Sequence, residues 1–274
     1  MTYLQFHFAF TLPAILMLKV VGPRVAARDA MKAGVSLLTI TTIAFVYTTP
    51  WDNYLVETQV WGYGPGRVLG TVGHVPIEEY LFFILQPLLT GLWLFRLLWR
   101  EAPGTGWTTA TFLEAPSRAA RWAGVAVWLA ASVWGLFLLA EDSTRYLALI
   151  LVWAAPVIAF QWAYGGHHLW RFRRLAALAV AVPTLYLWVA DWIALALGIW
   201  HISEKYTTGL ALFGLPIEEA LFFLVTNILV VQGLLLMLHT WKVPSLLDAK
   251  PVHRSSTQRI GDAGSASRAE PVTA

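Results

Sequence analysis

Cysteine is absent from the 274 residues of this chain, and charged residues are scarce at 13%. The lack of cysteine excludes disulfide bonds, thiolate metal sites and cysteine nucleophiles. A soluble globular domain usually carries about 25% charged residues, so much of the expected charge is missing. Hydrophobic residues make up 58% of the chain, and the 15 Trp residues are an unusually large number. Tryptophan is enriched at membrane–water interfaces, so the composition indicates an integral membrane protein.

The positive net charge of +3 and the sequence pI near 9.2 are compatible at first sight with a nucleic-acid-binding protein. Such proteins collect Lys and Arg on one face or along one helix. Here the basic residues lie between long apolar runs. The charge is therefore interpreted as belonging to the membrane surface, and no nucleic-acid partner is predicted.

Seven apolar runs are long enough to cross the hydrocarbon core, which takes about 20 residues per helix. The Lys and Arg residues support this count, because all 19 except Arg67, Arg145 and Lys205 fall in alternate loops or in the C-terminal tail. By the positive-inside rule, this alternation predicts an N-terminus outside and a C-terminus in the cytoplasm. The predicted spans are 3–21, 33–50, 76–99, 122–140, 146–165, 174–200 and 214–241.

An internal repeat divides these spans. The segment Pro76–Phe83 returns as Pro216–Phe223 with seven of eight positions identical, at an offset of 140 residues. Asp52 and Trp61 return as Asp191 and Trp200 at an offset of 139. Three helices form each repeat, and a linker helix restores the orientation, so that both repeats insert the same way up.

The predicted fold class is therefore an all-α polytopic membrane protein with two parallel three-helix repeats joined by a linker helix. The tail is rich in Ser, Ala, Pro and mixed charge and is predicted to be disordered. The predicted divisions are a first repeat at 1–100, a linker with the fourth helix at 101–145, a second repeat at 146–242 and a cytoplasmic tail at 243–274.

Four glutamates and two aspartates are expected in one layer near the outer ends of the spans: Glu78, Glu79, Glu218, Glu219, Asp52 and Asp191. In one interpretation the glutamates only complement the helix dipole after a proline. In the other they are functional, because an ionisable residue beside an apolar Leu-Phe-Phe run in a membrane is a functional candidate by default. Neighbouring residues point about 100° apart on a helix. We therefore expect one glutamate of each pair to face the interior and the other to cap the helix or to pair with His74 or Lys205.

A carboxylic acid in a dry apolar site can hold its proton at neutral pH, and an ionised carboxylate nearby can act as the base. Aromatic rings stabilise a cation that passes between them, although packing or the interface belt is the better explanation for each ring taken alone. Acid, base and aromatic wall predict cation-driven isomerisation of a polyene or terpene. The histidines have no ligand spacing shared between the repeats, so no metal is predicted. The candidate aromatic residues are Trp51, Trp61, Phe82, Phe83, Trp192, Trp200, Phe222 and Phe223.

At these residues the chain resembles the non-flavin lycopene cyclases, whose two halves are separate polypeptides in some members and fused in others. The resemblance covers roughly residues 1–242. It rests on the paired Pro-Ile-Glu-Glu motifs, on the stretch Pro50-Trp51-Asp52-Asn53 and on the three-one-three order of helices. The second aspartate stands in Ala190-Asp191-Trp192, which departs from the first box.

The resemblance implies a lycopene cyclase, an intramolecular lyase or isomerase of carotenoid biosynthesis. An acid would protonate C2 of a ψ-end, C1 and C6 would join, and loss of the C6 proton would give a β-ring. No electrons are transferred overall, so no cofactor is expected. The six carboxyl groups would be catalytic, and Asn53 with the candidate aromatic residues would bind the substrate. Lycopene would enter from the bilayer lipid between helices.

Other functions are compatible with parts of this pattern. A retinal-binding rhodopsin requires a lysine in the last span, and residues 214–241 contain none. A small-solute carrier with parallel repeats would place its polar residues at the midplane, whereas these carboxyl groups lie toward one end. A carotenoid hydratase of the same superfamily would differ only in the access of water to the cation. The residues leave open the ring type, whether one end or both ends of the substrate are cyclised, and whether the substrate has 40 or 50 carbons. They also leave open whether the repeats form one composite site or two sites, and the oligomeric state.

Overall fold

A computed structural model describes residues 1–22, 27–98 and 117–241 of the chain. Among these residues, seven helices are long and apolar enough to cross a membrane, which confirms the predicted number of spans and the all-α class. The predicted tail at 243–274 and the first part of the predicted linker lie outside the described residues.

The first span consists of two short α-helices joined by a π-helical turn, and each of the other six spans is one long helix, which in the fifth span is kinked at Gly165. Two single 3-10 turns, Asp142–Thr144 and Glu204–Tyr206, lie in connections. The α-helices and the π-helical turn are α1 (Tyr3–Phe6), the turn His7–Thr11, α2 (Leu12–Val20), α3 (Ala27–Glu57), α4 (Ile77–Leu98), α5 (Arg118–Leu138), α6 (Arg145–Arg171), α7 (Arg173–Ala196) and α8 (Ile217–Thr240).

The second span is longer than predicted. The sequence suggests an end at residue 50, but α3 continues through Pro50 to Glu57. Asp52 therefore lies within the helix and not at its end. Proline is tolerated inside membrane helices because neighbouring groups satisfy the freed carbonyl.

The sixth span is shorter than predicted. The sequence suggests that it reaches residue 200, but α7 ends at Ala196. Gly198 follows with φ +60°, a left-handed conformation that commonly terminates helices. Trp200 is therefore placed in an extended segment outside the helix.

The third helix of each repeat lies at the centre of the bundle. Within each repeat, α4 packs on α2 and α3, and α8 packs on α6 and α7. Each central helix also contacts the second helix of the other repeat, α7 for α4 and α3 for α8, and the two central helices contact each other. The interface between the repeats is therefore built symmetrically around α4 and α8.

The linker helix α5 lies outside this core and packs extensively on α6. Gly135 is its only buried residue. The close approach depends on glycine, because a Cβ atom at Gly124 would lie 2.1 Å from the Trp162 side chain. The position of α5 agrees with a helix that connects two repeats without belonging to either.

Short strands, which the sequence did not predict, cover the end of the bundle where α4 and α8 begin. We call this end the motif end. In the central pair, β1 and β4 run antiparallel with Gly62 opposite His201, so the loops of the two repeats are joined directly. Each remaining pair forms a hairpin that leads into α4 or α8. The strands are β1 (Trp61–Tyr63), β2 (Thr71–Val72), β3 (Val75–Pro76), β4 (Trp200–Ile202), β5 (Ala211–Leu212) and β6 (Leu215–Pro216).

Candidate active site

The second glutamate of each motif is held by a tyrosine from the first helix of its own repeat. The Tyr3 hydroxyl donates to Glu79 Oε2 at 2.8 Å. In the second repeat, the Tyr146 hydroxyl donates to Glu219 Oε1, also at 2.8 Å. Both tyrosines are buried, as are both glutamates. The two repeats therefore contribute equivalent glutamate–tyrosine pairs.

Glu79 has a second phenol donor. The hydroxyl of Tyr63, on β1, donates to the same Oε2 atom at 3.1 Å. Burial, together with the charge of Glu79, raises the pKa of the Tyr63 phenol well above its ordinary value. Tyr63 therefore keeps its proton and acts as a donor.

The first glutamate of each motif is bonded to the loop that precedes its helix. Glu78 Oε1 accepts from the backbone N–H of Leu69 at 2.9 Å. Glu218 Oε1 accepts from both the N–H and the hydroxyl of Thr208, each at 2.8 Å. These glutamates fix the loops and keep their side chains away from the second glutamates.

The division of each glutamate pair was expected, but the expected partners were wrong. His74 lies 3.8 Å from Glu57, and Lys205 lies 3.2 Å from Asp142. Both therefore pair with acids that are more exposed than the motif glutamates. Backbone amides, which no sequence pattern marks as donors, take their place.

The burial of the motif glutamates bears on the interpretation that they only complement the helix dipole. Glu78, Glu79, Glu218 and Glu219 have relative exposures of 1%, 6%, 0% and 3%. Residues that only complemented a helix dipole in the headgroup region would be in contact with water. A buried carboxyl group requires hydrogen bonds or retention of its proton, so these four are part of the interior.

The two predicted aspartates differ in their environments. Asp191 Oδ1 accepts from the indole N–H of Trp200 at 2.8 Å. Asp52 is completely buried, and among the described residues neither of its oxygens has a hydrogen-bond partner. Within the described structure, the equivalent of Trp200, Trp61, makes no hydrogen bond of standard geometry through its buried indole N–H, but this side chain interacts with Glu219 and Tyr146.

A cavity of about 470 Å³ lies between the two repeats at the motif end. Three of the six predicted carboxyl residues line it, whereas Glu78, Glu218 and Asp52 do not. None of the described lining residues is cationic. The lining residues are Tyr3, Phe6, Trp61, Tyr63, Glu79, Phe82, Leu187, Asp191, Trp200, Glu219, Phe222 and Phe223.

Most of the predicted aromatic residues surround this cavity. Five of them line it directly, namely Trp61, Phe82, Trp200, Phe222 and Phe223. Trp51 lies one layer behind, where its ring stacks on Trp153 at 4.5 Å and on Phe222 at 5.7 Å.

Two predicted substrate-binding residues are directed elsewhere. Asn53 Oδ1 accepts from the backbone N–H of His74, and its amide donates to Tyr80 and to Thr49. Its amide thus anchors a loop. Trp192 is 48% exposed, because it immediately follows Asp191 and so points away from the interior side of α7.

A groove of about 710 Å³ continues from the cavity toward the middle of the bundle. It runs between α3, α6 and α8 and shares Phe82 and Phe222 with the cavity; Phe83 is also part of its wall. Ile43 and Tyr47 on its rim are 56% and 41% exposed. We call it the wide groove. It adjoins the cavity at Phe82 and Phe222 and opens at the surface of the bundle near Ile43 and Tyr47.

A second groove of about 470 Å³ lies between α2, α4 and α7. These helices are the repeat equivalents of those around the wide groove. It is lined by Ala14, Met17, Leu18, Leu89, Trp93, Val182, Pro183 and Tyr186, and has no lining residue in common with the cavity. We call it the narrow groove.

The sequence did not predict that Tyr3, Tyr63, Tyr146 and His7 belong to the site. Tyr3 and Tyr146 both lie at the start of the first helix of a repeat, a correspondence that could have been noticed. His7 stacks on Tyr3 at 4.8 Å, and its Nε2 lies 2.9 Å from the Glu78 carbonyl oxygen. A carbonyl oxygen can only accept a hydrogen bond, so the Nε2 atom of His7 must carry a proton and donate it. His7 thus supports the cavity wall from behind.

Comparison with known proteins identifies relatives along most of the chain. The family model described as lycopene cyclase matches residues 1–97 and 143–237, two segments that exclude α5. A lycopene beta-cyclase from Halobacterium salinarum is 47% identical over 238 residues, which cover 86% of this chain and 95% of the relative. No solved structure matches.

Fungal relatives are longer proteins. A bifunctional lycopene cyclase/phytoene synthase from Gibberella fujikuroi is 34% identical over 270 residues, covering 94% of this chain and 43% of the relative. A protein of the same description from Colletotrichum graminicola is 38% identical over 243 residues, covering 85% of this chain and 40% of the relative. The present chain therefore matches less than half of each fungal protein.

Proposed function

The chain belongs to the lycopene cyclase family and is an enzyme that cyclises lycopene, and we propose that it forms β-rings by proton transfer within the cavity at the motif end. The observation that carries this proposal is the pair of tyrosine-held glutamates, Glu79 and Glu219, which face each other's repeat across one aromatic cavity. With Asp191 they form a three-carboxyl site.

The reaction requires one acid and one base. A carboxylic acid protonates C2 of the ψ-end and leaves a cation at C1. The C5=C6 double bond attacks C1, so that the C1–C6 bond forms and the positive charge moves to C5. A carboxylate then removes the C6 proton, which restores the C5=C6 double bond. The product is an isomer of the substrate, and no electrons are gained or lost.

The described cavity residues include no positively charged side chain, which favours a carboxyl group that keeps its proton. Three buried carboxylates without a positive partner would carry a large desolvation cost. Retention of at least one proton removes part of that cost. The cavity therefore favours a state in which a carboxylic acid and a carboxylate are present together, which is the state that the reaction needs.

Aromatic rings of the cavity would stabilise the carbocation. Trp61, Trp200, Phe222 and Phe223 line the same cavity as the carboxyl groups. The face of an aromatic ring attracts a cation within about 6 Å of its centre. The rings also exclude water, which would otherwise trap the cation as an alcohol. We assign these residues, with Phe82, to substrate binding.

The wide groove provides a path for the rest of the polyene. Lycopene resides in the bilayer, and one ψ-end would reach the cavity past Phe82 and Phe222 while the remaining chain lies along α3, α6 and α8. Phe83 would contact the chain within this groove. Trp51 supports the ring of Phe222 from behind.

Residues outside the cavity have supporting roles in this proposal. Glu78, Glu218 and Asn53 hold the loops that close the motif end. Asp52 contributes a buried charge or proton close to the cavity without lining it. Trp192 is not assigned to the site, because it faces outward.

We propose that the motif end lies outside the cytoplasm. Arg67, Arg145 and Lys205 are the basic residues of that end, and the remaining 16 of the 19 Lys and Arg residues belong to the other side. The positive-inside rule places the richer side in the cytoplasm. A cysteine introduced at exposed Leu69 would then react with a membrane-impermeant maleimide in intact cells, since the chain has no other cysteine.

The first experiment is expression in a lycopene-accumulating bacterial host, followed by chromatography and absorption spectra of the pigments. The wild-type chain should convert lycopene to products with β-rings. Glu79→Gln and Glu219→Gln should lose at least about 100-fold in activity, the lower limit for loss of a general acid or base. Glu78→Gln and Glu218→Gln serve as matched controls, and immunoblots of the membrane fraction correct for the amount of protein.

Two results would contradict the proposal. If wild-type protein in the membrane left lycopene unchanged, the substrate would be wrong. If all four Gln variants kept full activity, the carboxyl chemistry would be wrong. Hydroxylated acyclic products would instead favour a hydratase that uses the same cation.

A further inference from the structure

On the strands beside the cavity, the two repeats carry different residues at one equivalent position. Tyr63 and Ile202 are equivalent by the offset of 139 that also relates Trp61 to Trp200. They lie at matching places on the paired strands β1 and β4, where Tyr63 is opposite Trp200 and Ile202 is opposite Trp61. One repeat therefore has a phenol where the other has a hydrocarbon side chain.

This difference changes the hydrogen bonding of the two glutamates. Glu79 Oε2 accepts from Tyr3 and Tyr63, at 2.8 Å and 3.1 Å. Within the described structure, Glu219 accepts from one phenol, Tyr146, at 2.8 Å. Both glutamates begin equivalent helices and line the same cavity. Glu79 thus accepts two phenol hydrogen bonds, whereas Glu219 accepts one and has the Trp61 indole beside it without a hydrogen bond of standard geometry.

Hydrogen bonds donated to a carboxylate stabilise its ionised form. Bonds from O–H groups to a charged oxygen are about twice as strong as bonds between neutral groups. Two phenols on one oxygen therefore favour the anion of Glu79 over the anion of Glu219. When one proton is shared between the two sites, it should reside on Glu219.

We propose that Tyr63 is a positioning residue that gives the two glutamates different roles. Its hydrogen bond keeps Glu79 ionised as the base that accepts the C6 proton, so that Glu219 is the acid that protonates C2. This assignment rests on the proposed cyclase chemistry. It deepens that proposal, because the repeats alone would make the two glutamates interchangeable.

Glu219 gives its proton to C2, the C1=C2 π bond breaks, and C1 becomes cationic. The C1–C6 bond forms from the C5=C6 electrons and leaves the cation at C5. Glu79 takes the proton from C6, and the C–H electrons restore C5=C6. The cycle closes when a proton passes from Glu79 back to Glu219 through the shared cavity.

The position of the base also decides the ring type. The C5 cation can lose a proton from C6, from C4 or from the methyl group on C5, which gives a β-, ε- or γ-ring respectively. A carboxylate fixed beside C6 selects the first outcome. If the base is displaced or absent, the cation persists and other protons are lost.

The test measures total conversion and ring type separately for purified variants in lycopene-containing liposomes. Tyr63→Phe should still form rings, but the fraction of ε- and γ-rings should rise several-fold. Glu79→Gln should give the same shift more strongly, at much lower conversion. Glu219→Gln and Tyr146→Phe should lower conversion without changing the ring ratio. Tyr54→Phe, which removes a phenol from an exposed helix position outside the cavity, is the matched control.

The possible results distinguish a failure of the role assigned to Tyr63 from a failure of the proposed function. Wild-type protein that does not cyclise lycopene would overturn the proposed function. If the wild type is active but Tyr63→Phe loses activity with only β-rings in its product, Tyr63 has only a structural role. If Glu219→Gln shifts the ring ratio and Glu79→Gln does not, the roles of acid and base are reversed.

Discussion

Tyr47 and Tyr186 make the same contact in the two repeats. The Tyr47 hydroxyl donates to the carbonyl oxygen of Trp153, and the Tyr186 hydroxyl donates to that of Phe10, both at 2.9 Å. Each tyrosine is on the second helix of one repeat, and each acceptor is in the first span of the other. The contacts border the wide and the narrow groove respectively. The grooves are thus equivalent in origin, although only the wide one shares residues with the cavity.

This relationship predicts that blocking the two grooves has different effects. Ile43 lines the wide groove and Val182 the narrow groove, at equivalent positions. Ile43→Trp should lower kcat/KM for lycopene about tenfold, which corresponds to about 1.4 kcal/mol. Val182→Trp should leave kcat/KM close to that of the wild type. Initial rates in lycopene-containing liposomes measure both. Equal losses in the two variants would contradict entry through the wide groove.

A second prediction concerns the loop-binding glutamate of the second repeat. Glu218→Leu removes the acceptor for Thr208 and should lower the free energy of unfolding by about 1–3 kcal/mol, the cost of leaving a buried donor unsatisfied. Glu218→Gln keeps an acceptor oxygen and should retain most of the stability and activity. Unfolding in detergent, followed by tryptophan fluorescence, measures the stability. If Glu218→Gln were as inactive as Glu219→Gln, Glu218 would have to be placed in the chemistry.

A third prediction concerns a polar cluster buried within the membrane-spanning part. The Asn227 side chain accepts from Gln86 and Thr90 and donates to Thr184, which connects α8 to α4 and α7. Hydrogen bonds between membrane helices average about 0.6 kcal/mol each. Asn227→Leu should therefore lower the free energy of unfolding by about 2 kcal/mol through three lost bonds. Thermal unfolding in detergent measures the change.

The control for this prediction is Thr42→Val. The Thr42 hydroxyl donates only along its own helix, to the Leu38 carbonyl oxygen, and lies on the exposed side of α3. Its removal should change the stability by less than about 0.5 kcal/mol, as is usual for surface substitutions. A loss equal to that of Asn227→Leu would mean that the cluster does not join the repeats.

A fourth prediction tests the strand pair that joins the two loops. Gly64 donates to the Ile199 carbonyl oxygen at 3.0 Å, and a Cβ atom at Gly64 would lie 2.2 Å from the Gly198 carbonyl oxygen. Because that atom belongs to the backbone, it cannot move away alone. Gly64→Ala should cost about 1–3 kcal/mol of stability, as overpacking does, and should lower activity by displacing Tyr63. Thermal unfolding and pigment analysis measure the two effects.

Gly34→Ala is the matched control for Gly64→Ala. A Cβ atom at Gly34 would have no neighbour within 4 Å. The position is inside α3, where alanine is favoured over glycine by about 0.5–1 kcal/mol. This variant should be at least as stable as the wild type and fully active. Similar behaviour of the two alanine variants would contradict the role of the strand pair.

The sequence predicted the second glutamates of the motifs and five of the cavity aromatic residues, because the repeat marks them. It did not predict Tyr3, Tyr63 or Tyr146, since a tyrosine near the end of an apolar helix is usual at a membrane interface. Asn53 was predicted from the family resemblance of its stretch, and Trp192 as an aromatic residue next to Asp191 that could face a cation. Their side chains point elsewhere because neighbouring residues on a helix face different directions.

The number of spans, the repeat and the carboxyl-bearing motifs could be predicted without coordinates. Hydrophobic length and the alternation of basic residues are local properties of the chain, so they can be read without coordinates. Coordinates were needed to show which carboxyl groups share a cavity and which groove adjoins it. They were also needed to show that Glu79 has two phenol donors and Glu219 one. These features depend on contacts between residues distant along the chain, and such contacts are fixed by how the helices pack rather than by any local pattern.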